Sequence, residues 1–231
     1  MRTLRFENIK VVLAEPNREI RQDLRSALVG HGFRDITDVG TVRAVEISVK
    51  NGTADLLIAN THLPEGDVCD VVRRARHHEI GANPFLLIIM LIDQPTTELV
   101  HKVFNSGTDD LLVKPLIPKQ LLDRVDYLAR GRKPFVVTHD YIGPDRRREA
   151  RADASSAPLI EVPNPLKVKA GVGINLARMQ EMIDVAASQL NEHKMERHAV
   201  QIRYLVEHIL PWPSISLEWP SRGGGAAGTP G

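Results

Sequence analysis

The 231-residue chain holds a single cysteine, Cys69, so no internal disulfide can brace it. It has almost no charge excess, because 30 Lys and Arg against 29 Asp and Glu leave only +1. No chain-wide field draws it to nucleic acid or to an anionic membrane, and any such attraction has to be local. It also lacks a long apolar run. The longest, Phe85 to Ile92, falls far short of the roughly 20 residues that a membrane span needs. The polar, charged start from Met1 to Lys10 contains no signal-peptide core. These absences predict a soluble, cytoplasmic protein, in which the Asn51-Gly52-Thr53 sequon reads as a turn rather than a glycosylation site.

What is there is a chain 42% hydrophobic and 26% charged, enough for one full core and a smaller appended unit. Up to Arg132, short aliphatic runs alternate with amphipathic segments, the pattern of parallel strands connected by helices. Strands are expected over Ile9 to Ala14, Asp35 to Val39, Asp55 to Asn60, Phe85 to Ile92 and Asp110 to Val113. Helices are expected over Asn17 to Val29, Thr41 to Lys50, Val68 to His77, Thr96 to Asn105 and Pro118 to Ala129, with Thr41 as an N-cap and Pro118 in a first turn. The fold class is therefore α/β, a doubly wound five-stranded parallel sheet in the order 2-1-3-4-5 flanked by five helices, over residues 1–132. A Pro- and Arg-rich arm or linker follows at 133–172, in which no period lasts for a whole element. Residues 173–211 predict a long helix or a helical hairpin, because Ile174 to Leu210 has neither proline nor glycine and carries a helical apolar stripe. That stripe loses phase across Asn191 to Lys194 and resumes at Met195, which predicts a bend or a stutter. Residues 212–231, glycine- and alanine-rich from Ser221 on, predict a disordered tail.

In an open parallel sheet, ligands sit beyond the carboxyl ends of the strands. Those ends carry Glu15-Pro16, Asn60-Thr61-His62-Leu63-Pro64, Ile92-Asp93 and Lys114-Pro115. With Gly107 ahead of the last strand, these residues in this order resemble the CheY-like receiver domain of bacterial response regulators. The resemblance covers roughly the first 130 residues and implies a place in a two-component phosphorelay. It also shows where the chain departs from the family. The position of the phosphate-accepting aspartate is Asn60, and the acidic pair that helps hold magnesium is Glu15 and Pro16. An amide is a poor nucleophile and gives a hard cation no charge, so no acyl phosphate is expected at Asn60. The family's phosphate-sensing hydroxyl falls at Ile92 or Leu91, and its switching aromatic at Leu111. Lys114 remains, followed by Pro115, and is expected to bond the Asn60 carbonyl or pair with Glu15. Asp67, Glu65 and Asp93 are the acids near that rim which would serve as substitute acceptors; as loop acids they read more simply as solvated.

Further candidates lie outside this pocket. Arg146, Arg147, Arg148 and Arg151 concentrate positive charge at the arm, as an anion or partner contact or as solvated charge. The Arg147-x-x-x-Arg151 spacing resembles the arginine pair of PilZ domains, but the downstream signature and barrel pattern of that family are missing. The stretch Pro134 to Arg147 looks like an extension seen behind receiver domains in some bacterial proteins; its Phe135, Val137, Tyr141 and Ile142 are suited to anchoring on the receiver or on a second subunit. His193, His198 and His208 sit in no phosphoacceptor motif, and His77 and His78 have no partners spaced for a metal. No nucleophile with a base, phosphate loop or metal cluster is legible, so neither an enzyme, a cofactor nor a metal is expected. The expected partners are proteins: a histidine kinase or other two-component protein, or a second copy in a homodimer. The face from Thr96 to Arg130 is the surface that receiver domains commonly use for such contacts. Against these stands a DNA-binding transcriptional regulator with a receiver-like sensory domain. Ile174 to Leu210 disfavours it, since Arg178, Lys194, Arg197 and Arg203 meet Glu181, Asp184, Glu192, Glu196 and Glu207, a faintly acidic balance.

Overall fold

In a computed structural model, residues 4–138, 140–146, 159–171 and 176–209 are described. Five parallel strands, β1 (Lys10–Ala14), β2 (Asp35–Val39), β3 (Leu56–Asn60), β4 (Leu87–Ile92) and β5 (Asp110–Val113), form one sheet in the order β2-β1-β3-β4-β5. Their side chains divide strictly by parity. Val11, Leu13, Leu56, Ile58, Leu87, Ile89 and Leu91 enter one core, and Val12, Ala14, Leu57, Ala59, Ile88, Met90 and Ile92 enter the other. Helices α1 (Arg18–Gly30) and α5 (Pro118–Arg130) cover the first face; α2 (Val42–Lys50), α3 (Val68–Arg76) and α4 (Thr97–Asn105) cover the second.

Local chemistry sets the ends of these helices. The Asn17 side chain accepts from the N–H groups of Glu19 and Ile20 to start α1, Thr41 Oγ1 accepts from Ala44 N to start α2, and Pro118 opens α5. Asp67 caps α3 from a two-residue antiparallel ladder, His62–Leu63 against Gly66–Asp67, which lies directly after β3. The Asn51-Gly52 pair is a turn after α2, with Gly52 at φ 63°.

The arm is more ordered than its prolines and glycines predict. β6 (Phe135–Val137) pairs antiparallel with both β7 (Ile142–Pro144) and β8 (Leu159–Ile160), giving a second sheet in the order β8-β6-β7. A short α6 (Pro165–Ala170), capped by Asn164, buries Leu166 and Ala170 in the first core beneath α5. The last element, α7 (Leu176–Ile209), is one helix of 34 residues, so no hairpin forms. Its proximal half brings Met179, Ile183, Ala186, Ala187 and Leu190 onto Phe85, Phe135, Val137, Ile142 and Ile160, a third core shared by the α/β body, the arm and the helix. The stretch expected to form a disordered tail, 212–231, lies outside the described residues, as do Arg147, Arg148 and Arg151.

Candidate functional site

The carboxyl ends of β1, β3, β4 and β5 bring Glu15, Asn60, Asp93 and Lys114 together. β3 delivers Asn60 into a buried position, and the strand register sets it beside Leu91 of β4. Its amide is fully used. The Nδ2 group donates to Asp93 Oδ2 at 3.1 Å and to Glu15 Oε2 at 3.4 Å, while Oδ1 accepts from His62 N at 3.1 Å and from Thr61 Oγ1 at 3.5 Å. This orientation requires two donated bonds on one side of the group and two accepted bonds on the other, which an amide supplies and a carboxylate does not.

Lys114 Nζ lies 2.8 Å from Glu15 Oε2 and 2.8 Å from Asp93 Oδ1. Its side chain is 7% exposed and that of Glu15 is 0% exposed, so this ion pair is dry. Glu15 Oε1 also accepts from Asn17 N at 3.0 Å. Burial works against the charged form of Lys114, yet the hydrogen bonds it donates to Asp93 and Glu15 win and raise its pKa. Asp93 moves the other way: burial opposes it, but Lys114 and Asn60 hold its carboxyl below the usual aspartate value. The single carboxylate of Asp93 thus bridges the Asn60 amide and the Lys114 ammonium.

The remaining predicted pocket residues are placed as follows. Pro16 is exposed where a second acid would stand, Ile92 is buried in the second core, and Leu111 packs half-buried against that core. Pro115 follows Lys114 through a cis peptide and is exposed. Glu65 is exposed in the ladder turn. Asp67 is engaged twice, by the Cys69 N–H at 2.7 Å and by Lys102 Nζ at 2.5 Å. Burial would raise its pKa, but those bonds lower it. Among the described residues no group of three or more His, Cys, Asp or Glu is placed to hold a metal ion. Arg146 is turned inward, its guanidinium 4.2 Å from the Phe104 ring centroid and bonded to Thr108 O.

A second polar cluster lies at the opposite, amino end of β5. Arg76 is fully buried and donates to Gly107 O, Pro84 O, Leu86 O and Asp109 Oδ2. Arg132 reaches the same carboxylate from the other side, 2.8 Å from Asp109 Oδ1, and also donates to Phe85 O and Pro163 O. The Phe135 ring takes both guanidiniums, at 5.2 and 4.6 Å from its centroid. Burial pushes the Arg76 guanidinium down to about 10 against the pull of Asp109, which leaves it charged at neutral pH. Sequence reasoning missed Arg76 and Asp109. The available signal was register: Arg76 continues the buried positions Cys69 and Val72 of α3, where a cation has to find an acid.

With strand order, helix placement and pocket in view, the α/β body has the doubly wound fold of a CheY-like receiver domain, and its sequence is similar to curated response regulators over about 130 residues. No protein-family model matches the sequence. It is 32% identical over 134 residues to the transcriptional regulatory protein CusR of Escherichia coli K12, covering 58% of this chain and 56% of CusR. It is 25% identical over 127 residues to the response regulator MprA of Mycobacterium tuberculosis H37Rv, covering 55% of this chain and 53% of MprA. The chain thus spans about half the length of the curated relatives it matches. A solved receiver domain from Methanospirillum hungatei is similar at 18% identity and a TM-score of 0.47, covering 52% of this chain and 91% of that one. Among the described residues no helix is long and apolar enough to cross a membrane.

Proposed function

We propose that this protein is an atypical two-component regulator whose receiver signals by binding proteins and not by phosphorylation at the usual position. The observation that carries this reading is the Asn60 amide, with both its N–H bonds directed at carboxylates and its carbonyl oxygen accepting from the following loop. The charged groups of the pocket are paired with one another. Lys114, which would meet a phosphoryl group, is held by Glu15 and Asp93, and the one acid left after β1 is committed to that pair. An incoming phosphoryl group has neither a nucleophile at position 60 nor a free ammonium to receive it. What remains for output is surface. The face from Thr96 to Arg130 exposes Val113, Ile117 and Tyr127, a scatter of apolar side chains suited to docking a histidine kinase or another two-component protein.

Incubating the full chain with acetyl phosphate and magnesium, followed by intact-mass measurement, tests the reading. No added phosphoryl group is expected. A stoichiometric adduct, on Asp67, Asp93 or any other acid, sinks it.

A second reading, DNA-binding transcriptional regulation, is favoured by one observation, the description of CusR as a transcriptional regulatory protein. Here the described residues after the receiver form a small sheet, a short helix and one long helix whose charges are mixed. DNA binding that discriminates between sequences and survives above about 200 mM salt would decide for it.

A further inference from the structure

The distal half of α7 carries a second apolar stripe that the body does not use. Met195, Ala199, Ile202 and Val206 recur at intervals of four, three and four, the spacing of a coiled-coil seam. The large ones stand open, Met195 at 72%, Ile202 at 61% and Val206 at 44% exposure. The proximal stripe, by contrast, is buried in the third core, with Leu190 fully enclosed. At 100° per residue the two stripes point roughly 145° apart around one helix axis. While Lys194 still hydrogen-bonds His77 O on the body, the Met195 stripe faces away from it. An exposed helical half without tertiary cover gains little stability from its own backbone.

We infer that this stripe is a homodimer seam in which the distal halves of two copies of α7 pair antiparallel. The charges flanking the stripe select both the partner and its direction. Glu196 and Arg203 occupy the same flanking position one heptad apart, so in an antiparallel pair each Glu196 meets the second copy's Arg203. A parallel pair would instead set Arg203 against His198 and Glu196 against Asn191, with no opposite charges across the seam. In the antiparallel register Met195 packs on the second copy's Val206, and Ala199 on the second copy's Ile202. Leu205, 40% exposed, widens the contact. The overlap takes up the helix from Met195 to its end, about 21 Å at 1.5 Å per residue, and leaves the two bodies at opposite ends. In the single chain Glu196 bonds its own His193 at 3.1 Å, a surface contact that pairing with Arg203 replaces.

This inference deepens the protein-binding reading by naming one partner, a second copy, and its readout is independent of phosphorylation. The test is light scattering of the full chain at about 50 µM. Twice the chain mass is expected for the unaltered protein, and the single mass for the Ile202→Asp, Val206→Asp double variant. Far-ultraviolet circular dichroism checks that the receiver of that variant remains folded. Glu196→Arg alone should weaken the dimer at least tenfold, and adding Arg203→Glu should restore it. A monomeric unaltered chain overturns the inference, as does a dimer that ignores the double variant. Failure of the swapped pair to rescue overturns the antiparallel direction. An acetyl phosphate adduct on a chain that still dimerises through this seam would overturn the binding reading and leave this one standing.

Discussion

At the scale of single residues, the exchange of a carboxyl for an amide at position 60 changes more than nucleophilicity. A carboxylate there would face Glu15 and Asp93 across 3.4 and 3.1 Å, three negative groups around one lysine. The amide turns both repulsions into donated bonds. Because Asp93 and Asp67 have folded pKa values below their ordinary range, the stability they contribute is complete above about pH 4 and is lost as pH falls through the depressed values. Lys114 has the opposite sign: its pKa is raised, so its contribution is complete below about pH 10 and fades as pH climbs through the raised value. Urea denaturation at pH 3 and pH 7 should therefore show Asp93→Asn less stable than the unaltered chain at pH 7 but losing less on acidification. Equal losses for both proteins would show that Asp93 does not carry the effect. Asp93 is 59% exposed, so solvent screening keeps its share of the stability modest.

At the scale of elements, the informative contact is the Asp109 clamp between α3, β5 and the start of the arm. One carboxylate compensates two buried guanidiniums, Arg76 and Arg132, which are 0% and 2% exposed. Asp109→Asn strands both, at a cost of about 3–5 kcal/mol. Urea unfolding would show this as a fall in midpoint, and a change below about 1 kcal/mol would mean that the carbonyls of Pro84, Leu86 and Phe85 suffice. Nearby, β7 crosses the loop before β5 so closely that a Cβ on Gly107 would lie 2.4 Å from Ile142 O, and one on Gly143 would lie 2.7 Å from Gly107 Cα. Both glycines are in plain sight in the sequence, but their meeting depends on tertiary structure. The same distinction explains what could be read in advance. The five parallel strands and their helices were legible because two-sided burial writes unbroken aliphatic runs, and because Asn17, Thr41 and Pro118 are local signals. β6, β7 and β8 have three, three and two residues, too short to display a period, and α6 has six. The phase slip at Asn191 to Lys194 is a stutter within one continuous helix, and what changes there is the surface its apolar side faces. In the pocket, Lys114 was expected to meet either the Asn60 carbonyl or Glu15, and it meets Glu15, while the bridge through Asp93 depended on a loop conformation that no short pattern encodes.

At the scale of the whole molecule, receiver, arm and α7 share their interiors. Phe85, two residues ahead of β4, is buried against Phe135, and Leu166 and Ala170 from the end of the arm lie in the first core. Arg132 ties the same parts by bonding Phe85 O and Pro163 O at once. Thermal unfolding of the full chain should therefore be a single calorimetric transition. A chain ending at Arg132 should be markedly less stable, since uncovering Phe85 alone forfeits about 2 kcal/mol and the vacated place of Leu166 adds a comparable amount. Two separate transitions, or an unimpaired short chain, would show that the appended elements merely rest on the receiver. Receiver domains invite exchange between proteins as interchangeable parts, but this one offers no clean seam for a graft. A chimera would have to carry everything through Leu190, because the clasp around Phe135 makes the appendage part of the receiver's own hydrophobic interior.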